Sequence, residues 1–275
     1  MELTNSFGEL LVKLRKNKPI IHHITNYVTA ESCADIALAA GASPVMADEP
    51  EEVEEITAGA DALVLNLGTF SFNRQIAMER SAVIAKHKGI PVVLDPVGVM
   101  TSKIRLNFAL SLLNRKYISI VRGNLSECNA ILTGIAAGRG IDNLLQDNET
   151  GLGLKTAQEA AHKFGCIFAV TGKVDCISNG KQSIMLNNGH PLLQNITGSG
   201  CMTSTLIGCC SAVSNDMFQA TTLGTLIMGQ SAELAANLLQ KKDGPGMFKT
   251  RLTDCVYHVT SKWNLIHLSP EKKIS

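Results

Sequence analysis

Tyr117-Ile118-Ser119-Ile120-Val121-Arg122-Gly123-Asn124-Leu125-Ser126-Glu127 passes from a β-branched run through a polar turn into a stretch with helical spacing. A strand that ends in a cation and then opens a helix is the repeating unit of an α/β fold. The same pattern stands upstream, where Ile90-Pro91-Val92-Val93-Leu94-Asp95 is an apolar run closed by a carboxylate. Further strands are expected at Pro19–Ile24, Ala62–Asn66 and Cys166–Thr171, and the near-continuous apolar character of several predicts burial on both faces of a parallel sheet. Helical patterns fill the intervals at Thr29–Ala40, Glu51–Ala58, Asn73–His87 and Lys155–Phe164. After Thr171 the rhythm changes: Val174–Ser178 and Ser183–Leu186 read as a hairpin turning through Ser178-Asn179-Gly180-Lys181, and Gly200–Gln240 reads as consecutive helices. Gly134–Leu154, rich in Gly, Asp and Asn, is expected to be a mobile loop.

With 275 residues, no linker and no internal repeat, the chain reads as one domain spanning 1–275. Its 25 basic and 24 acidic residues nearly cancel, which removes the electrostatic footprint a nucleic-acid binder needs. No run is long and apolar enough for a membrane span, and the N-terminus lacks the apolar core of a signal peptide. The eight cysteines form no C-x-x-C pair, as expected for free thiols in a reducing cytoplasm.

The chemistry concentrates at strand ends. Asn195-Ile196-Thr197-Gly198-Ser199-Gly200-Cys201 precedes an apolar helical run. Closely spaced glycines at a helix start allow a ligand near the backbone, where unpaired N–H groups and the helix dipole hold an anion. A turn capped by Ser199 is the alternative. Cys201, in the first helical turn, is placed where the dipole lowers a thiol pKa. Asp95 stands where a carboxylate reaches a hydrated magnesium on nucleotide phosphates. Arg122 offers a planar cation for phosphate, Asn124 and Glu127 share one face of a helical turn, and Thr171-Gly172-Lys173 closes a further strand. Asp95 and Glu127 also suit plain helix caps. An alcohol site is expected from His22-His23-Ile24-Thr25-Asn26 and Gly41-Ala42-Ser43-Pro44-Val45-Met46-Ala47, with Met46 as an adaptable apolar wall. The paired histidines point to opposite faces of a strand, which excludes joint metal ligation.

Ile24-Thr25-Asn26-Tyr27-Val28, Gly41–Met46, Leu94-Asp95-Pro96-Val97-Gly98, Arg122-Gly123-Asn124 with Glu127, Val170-Thr171-Gly172 and Thr197–Cys201 occur in the order seen in hydroxyethylthiazole kinases, and the chain resembles that family over roughly residues 10–265. The resemblance implies a ribokinase-like three-layer α/β/α sandwich with a mainly parallel central sheet. It implies ATP-dependent phosphorylation of 4-methyl-5-(2-hydroxyethyl)thiazole for thiamine phosphate synthesis, with magnesium, in a cytoplasmic homotrimer whose thiazole pockets lie at subunit contacts. Carried over residue by residue, it implies ATP contacts at Arg122, Thr171, Asn124 and Gly200, and thiazole contacts at Met46, Gly198 and Asn26. Asp95 and Glu127 would manage the metal, and Cys201 would stand where most ribokinase-like enzymes carry an aspartate base. Two rivals remain at this point: an NAD(P)H-hydrate dehydratase-like lyase, which needs an aspartate at position 201, and a non-catalytic thiazole or nucleotide sensor.

Overall fold

The computed structural model describes residues 2–136, 149–262 and 270–274. In chain order the elements are α1 (Glu2–Asn17), β1 (Ile20–Ile24), α2 (Ala30–Ala40), β2 (Ser43–Met46), α3 (Val53–Ala58), β3 (Ala62–Asn66), α4 (Phe72–Lys88), β4 (Val92–Asp95), α5 (Lys103–Asn114), β5 (Ile120–Asn124), α6 (Leu125–Thr133), α7 (Glu149–Phe164), β6 (Ile167–Thr171), β7 (Asp175–Ser178), β8 (Ser183–Leu186), α8 (Ser199–Ser211), α9 (Met217–Asn237), α10 (Pro245–Ser261) and β9 (Pro270–Ile274). They build a nine-stranded sheet in the order β2-β1-β3-β4-β5-β6-β7-β8-β9. The pairs from β2 to β6 are parallel, and those from β6 to β9 are antiparallel.

The apolar runs become central strands because both their faces are covered. Every residue of β3 is buried, and successive side chains enter opposite cores. Ala62 and Val64 join Leu206, Leu223 and Phe248 from α8, α9 and α10 on one face. Leu63 and Leu65 join Met78, Leu112 and Ile131 from α4, α5 and α6 on the other. This is the expected three-layer α/β/α sandwich. Because the strands from β1 to β6 run parallel, their C-terminal ends share one edge, and that edge collects Asn66, Asp95, Asn124 and Thr171.

The expected hairpin is present, with Cys176 paired to Met185 and Ile177 to Ile184. Ser43–Met46, expected as part of the alcohol site and not among the expected strands, forms β2; a strand containing Pro44 survives because it lies at the sheet edge, where a missing N–H breaks no central ladder. The Gly200–Gln240 helical run divides into α8 and α9, with Asp216 accepting from the N–H groups of Phe218 and Gln219 to start the second helix. Within the expected loop Gly134–Leu154, Gly134 is the left-handed cap of α6, residues 149–154 belong to α7, and 137–148 lie outside the described residues.

Candidate active site

The Gly-x-Gly segment before α8 is not a turn capped by Ser199. The helix N-cap is Gly198, at φ 86°, and no side chain caps it. Its first i→i−4 bond runs from the Met202 N–H to the Gly198 carbonyl at 2.8 Å, so the preceding N–H groups lie at the positive helix end without an intrahelical partner. Only glycine serves at 198, because φ is left-handed and a Cβ would meet Thr29 Cγ2 at 2.6 Å. At 200 the reason is contact: a Cβ would lie 2.2 Å from Arg122 Nη1, so the guanidinium lies directly against the helix start.

Arg122 is anchored from two sides. Its Nη2 donates to Thr171 Oγ1 at 2.6 Å, and its Nη1 lies 3.9 Å from Asp95 Oδ2. Thr171 in turn donates to the Gly123 carbonyl at 3.3 Å, tying β5 to β6. Arg122, Thr171, Asp175, Ser199, Gly200 and Met228 are among the residues around a cleft of about 810 Å³, a volume that accommodates a nucleotide. Asp175 accepts from the Gly172 N–H at 3.0 Å, and burial pushes its carboxyl up to about 7. It holds the Thr171-Gly172-Lys173 turn, and the sequence does not single it out because it falls inside the expected hairpin strand Val174–Ser178.

Asp95 is fully buried. Ser204 Oγ donates to its Oδ2 at 2.8 Å, whereas Oδ1 has no hydrogen-bond partner. Burial raises its pKa, and Arg122, Ser204 and Asn66 offset part of that rise. Glu127 differs. Its Oε2 accepts from the Asn124 N–H at 3.0 Å and its Oε1 from the Gly98 N–H at 3.1 Å, while Asn124 Oδ1 accepts from the Glu127 N–H at 2.8 Å. Asn124 and Glu127 therefore form a capping box that fixes the start of α6. Burial, then the nearby Asp95 charge, raises the Glu127 pKa.

Cys201 is half-buried, and the other seven cysteines are buried. The expectation of a lowered thiol pKa is overturned: removal from water, followed by the Asp95 charge, raises it, and Thr29, Asn26 and Arg122 offset only part of the rise. Asn66 Nδ2 donates to the sulfur at 3.2 Å and Asn26 Nδ2 lies 3.5 Å from it. Asn66 was read only as the last residue of a strand; the signal available was its place at the same C-terminal edge as Asp95, with which it is in register.

The fold thus gathers Asn26, Asn66, Asp95, Arg122, Thr171, Glu127, Gly198, Gly200 and Cys201. Met46 ends the edge strand β2, 38% exposed, in register with His23. The two histidines, expected with Asn26 in the alcohol site, are buried and bonded to separate partners: His22 bonds Thr57 Oγ1 and the Ala47 carbonyl, while His23 bonds the Ile21 carbonyl and Thr205 Oγ1.

The sequence model of the hydroxyethylthiazole kinase family matches residues 11–262. The chain belongs to this family. The hydroxyethylthiazole kinase of Ruminiclostridium cellulolyticum is 41% identical over 93% of each chain. A solved structure of a hydroxyethylthiazole kinase protein from Pyrococcus horikoshii superposes with a TM-score of 0.86 at 34% identity, covering 98% of this chain and 100% of that one. A ribokinase-like superfamily protein from Enterococcus faecalis shares the fold alone, at a TM-score of 0.62 and 11% identity over 93% of this chain and 94% of that one.

Proposed function

We propose that the chain, acting as one catalytic unit over 1–275, is a hydroxyethylthiazole kinase: it phosphorylates the hydroxyl of 4-methyl-5-(2-hydroxyethyl)thiazole with ATP, supplying thiazole phosphate for thiamine synthesis. The observation that carries this reading is the juxtaposition, in a chain of this family, of an uncapped helix N-terminus with Arg122 on one side and a polar sulfur on the other.

The nucleotide occupies the cleft beside Thr171 and Gly200, and its γ-phosphate meets the α8 N–H groups and Arg122. Phosphoryl transfer has a loose transition state with charge spread over the equatorial oxygens, so these fixed donors supply most of the stabilisation. The alcohol oxygen bonds to the γ-phosphorus as the bond to the ADP oxygen breaks. Cys201 orients the alcohol and, in its thiolate form, takes its proton. Asn26 and Gly198 border the alcohol.

Asp95 Oδ1 suits a divalent cation because it is a buried acceptor without a partner. Glu127 keeps a second lone pair on each oxygen, although its capping bonds restrict its movement. Among the described residues no cluster of three His, Cys, Asp or Glu could hold a metal ion. The open acceptor of Asp95 is what fits magnesium, an ion that takes one or two carboxylates together with phosphate and water ligands. When bound, it neutralises charge on the phosphates.

Met46, with Tyr27 at 73% and Val28 at 60% exposure, leaves an apolar rim at the β1–β2 edge. A homotrimer that completes the thiazole pocket with a second subunit would use it; light scattering on the purified protein checks this. Among the described residues no helix is long and apolar enough to cross a membrane, and we place the enzyme in the cytoplasm. The lyase reading is disfavoured by a cysteine at position 201, and the sensor reading by a buried carboxylate with an open acceptor. Mass detection of products after incubation with Mg-ATP and a panel of hydroxyethylthiazole, hydroxymethylpyrimidine and sugars tests the proposal. Thiazole phosphate as main product is expected; bound nucleotide with no phosphorylated alcohol would overturn it.

A further inference from the structure

Amide orientation is ordinarily ambiguous, since oxygen and nitrogen look alike. Two backbone donors remove the ambiguity here. The Gly68 N–H points at Asn66 at 2.9 Å, so the atom receiving it must be the oxygen, Oδ1. The Thr29 N–H points at Asn26 at 3.1 Å, which fixes that oxygen too, and Thr29 Oγ1 adds a second bond at 3.1 Å. With both oxygens assigned, Asn26 Nδ2 must donate to Asn66 Oδ1, at 3.0 Å. Asn66 Nδ2 is then left facing Cys201 Sγ at 3.2 Å, with Asn26 Nδ2 on the same sulfur at 3.5 Å.

Asn66 is 1% exposed and Asn26 5%, so water does not compete for these groups. A sulfur that faces two N–H donors can only accept from them, and its own hydrogen must point elsewhere. Gly68 is part of the device, since a Cβ there would lie 3.0 Å from both Asn66 Oδ1 and Asn26 Cβ.

We infer that Asn66 is a positioning residue for the transfer step: its locked amide fixes the Cys201 sulfur in place and holds it as a hydrogen-bond acceptor. The inference deepens the proposed kinase reading and rests on it for the identity of the alcohol. The amide also favours the thiolate over the thiol, because a hydrogen bond to a charged acceptor is stronger than one to a neutral one.

The test uses the nucleotide-free protein. Iodoacetamide alkylation of the Cys201 peptide is quantified by mass across a pH series; the other seven thiols are buried and react slowly. In Asn66→Ala the midpoint of the alkylation profile should rise by about one pH unit, or about tenfold less thiolate at a given pH below it. Asn66→Asp keeps the acceptor oxygen for Asn26 and Gly68 and removes the donor. Its midpoint should rise further, and it serves if Asn66→Ala does not fold. Turnover of the thiazole alcohol then closes a double-mutant cycle: Asn66→Ala should cost about tenfold in the Cys201 enzyme and nothing further on the residual rate of Cys201→Ala. An unchanged alkylation midpoint, or an equal loss in both backgrounds, would overturn the inference. If the shift appears but no variant or parent turns over the thiazole, Asn66 still acts on the sulfur, and it is the kinase reading that fails.

Discussion

Asp95 and Glu127 are both buried carboxylates at the same sheet edge, both with raised pKa, yet their surroundings differ in one respect. Glu127 accepts a backbone N–H on each oxygen and so locks β5 to α6. Asp95 accepts one hydroxyl and leaves Oδ1 empty. A buried acceptor without a partner costs stability, commonly about 1–3 kcal/mol. Two carboxylates at one edge therefore differ in the number of satisfied acceptors, and under the proposed function Asp95 Oδ1 is the acceptor left open for a cation.

The comparison breaks most sharply at Asp95. Asp95→Asn should lower kcat/KM by about 10²–10³-fold with only a small change in melting temperature, because relief of a poorly satisfied buried charge offsets the loss of a charge partner for Arg122. Steady-state kinetics beside a thermal melt reads both.

His23 extends the comparison to a buried titratable group whose two nitrogens are both engaged. Burial depresses its pKa from 6.5 to about 4, so between those values the unfolded chain binds a proton that the folded chain does not. Stability must then fall as pH drops from 6.5 to 4, by about 3 kcal/mol from this group. Urea unfolding at several pH values should show that loss in the parent protein and a flatter profile in His23→Gln.

Glu127→Gln comes next. One amide oxygen replaces two carboxylate oxygens, so either the Gly98 or the Asn124 N–H meets an NH₂ group; the expected destabilisation is about 1–3 kcal/mol. Chemical denaturation measures it, and any loss of kcat should be smaller than that of Asp95→Asn. The smallest effect is expected for Asn124→Ala, which removes one side of the capping box for about 1 kcal/mol. If its kcat falls as far as that of Asp95→Asn, Asn124 has a role beyond capping.

The sequence revealed the sheet because strands buried on both faces must be apolar throughout, and their polar last residues marked the edge where ligands bind. Asp95 and Thr171, which end β4 and β6, and Arg122 near the end of β5 were legible for that reason, whereas Cys201 was legible from its place in the first turn of a helix behind two glycines. Asn66 escaped because asparagine closing a strand looks like the start of any turn, and only the folded register brings it beside Cys201. The acidity of Cys201 is not legible because a helix dipole is visible in sequence order, whereas the burial and the Asp95 charge that raise its pKa come from distant segments. β2 was missed since proline hides an edge strand. Met46 could be matched by motif, but its exposure shows that one chain alone does not enclose it.

The glycines also divide the molecule by how freely it can be rewritten. At Gly224 of α9 a methyl group would sit 2.6 Å from the backbone of Ile207 in α8, so any other residue must drive apart the two helices that carry one core. At Gly246, in the first turn of α10, nothing lies within 4 Å of the same added atom. Among the 23 glycines, then, evolution or an engineer can spend changes at one end of the helical layer and almost none where α8 and α9 touch.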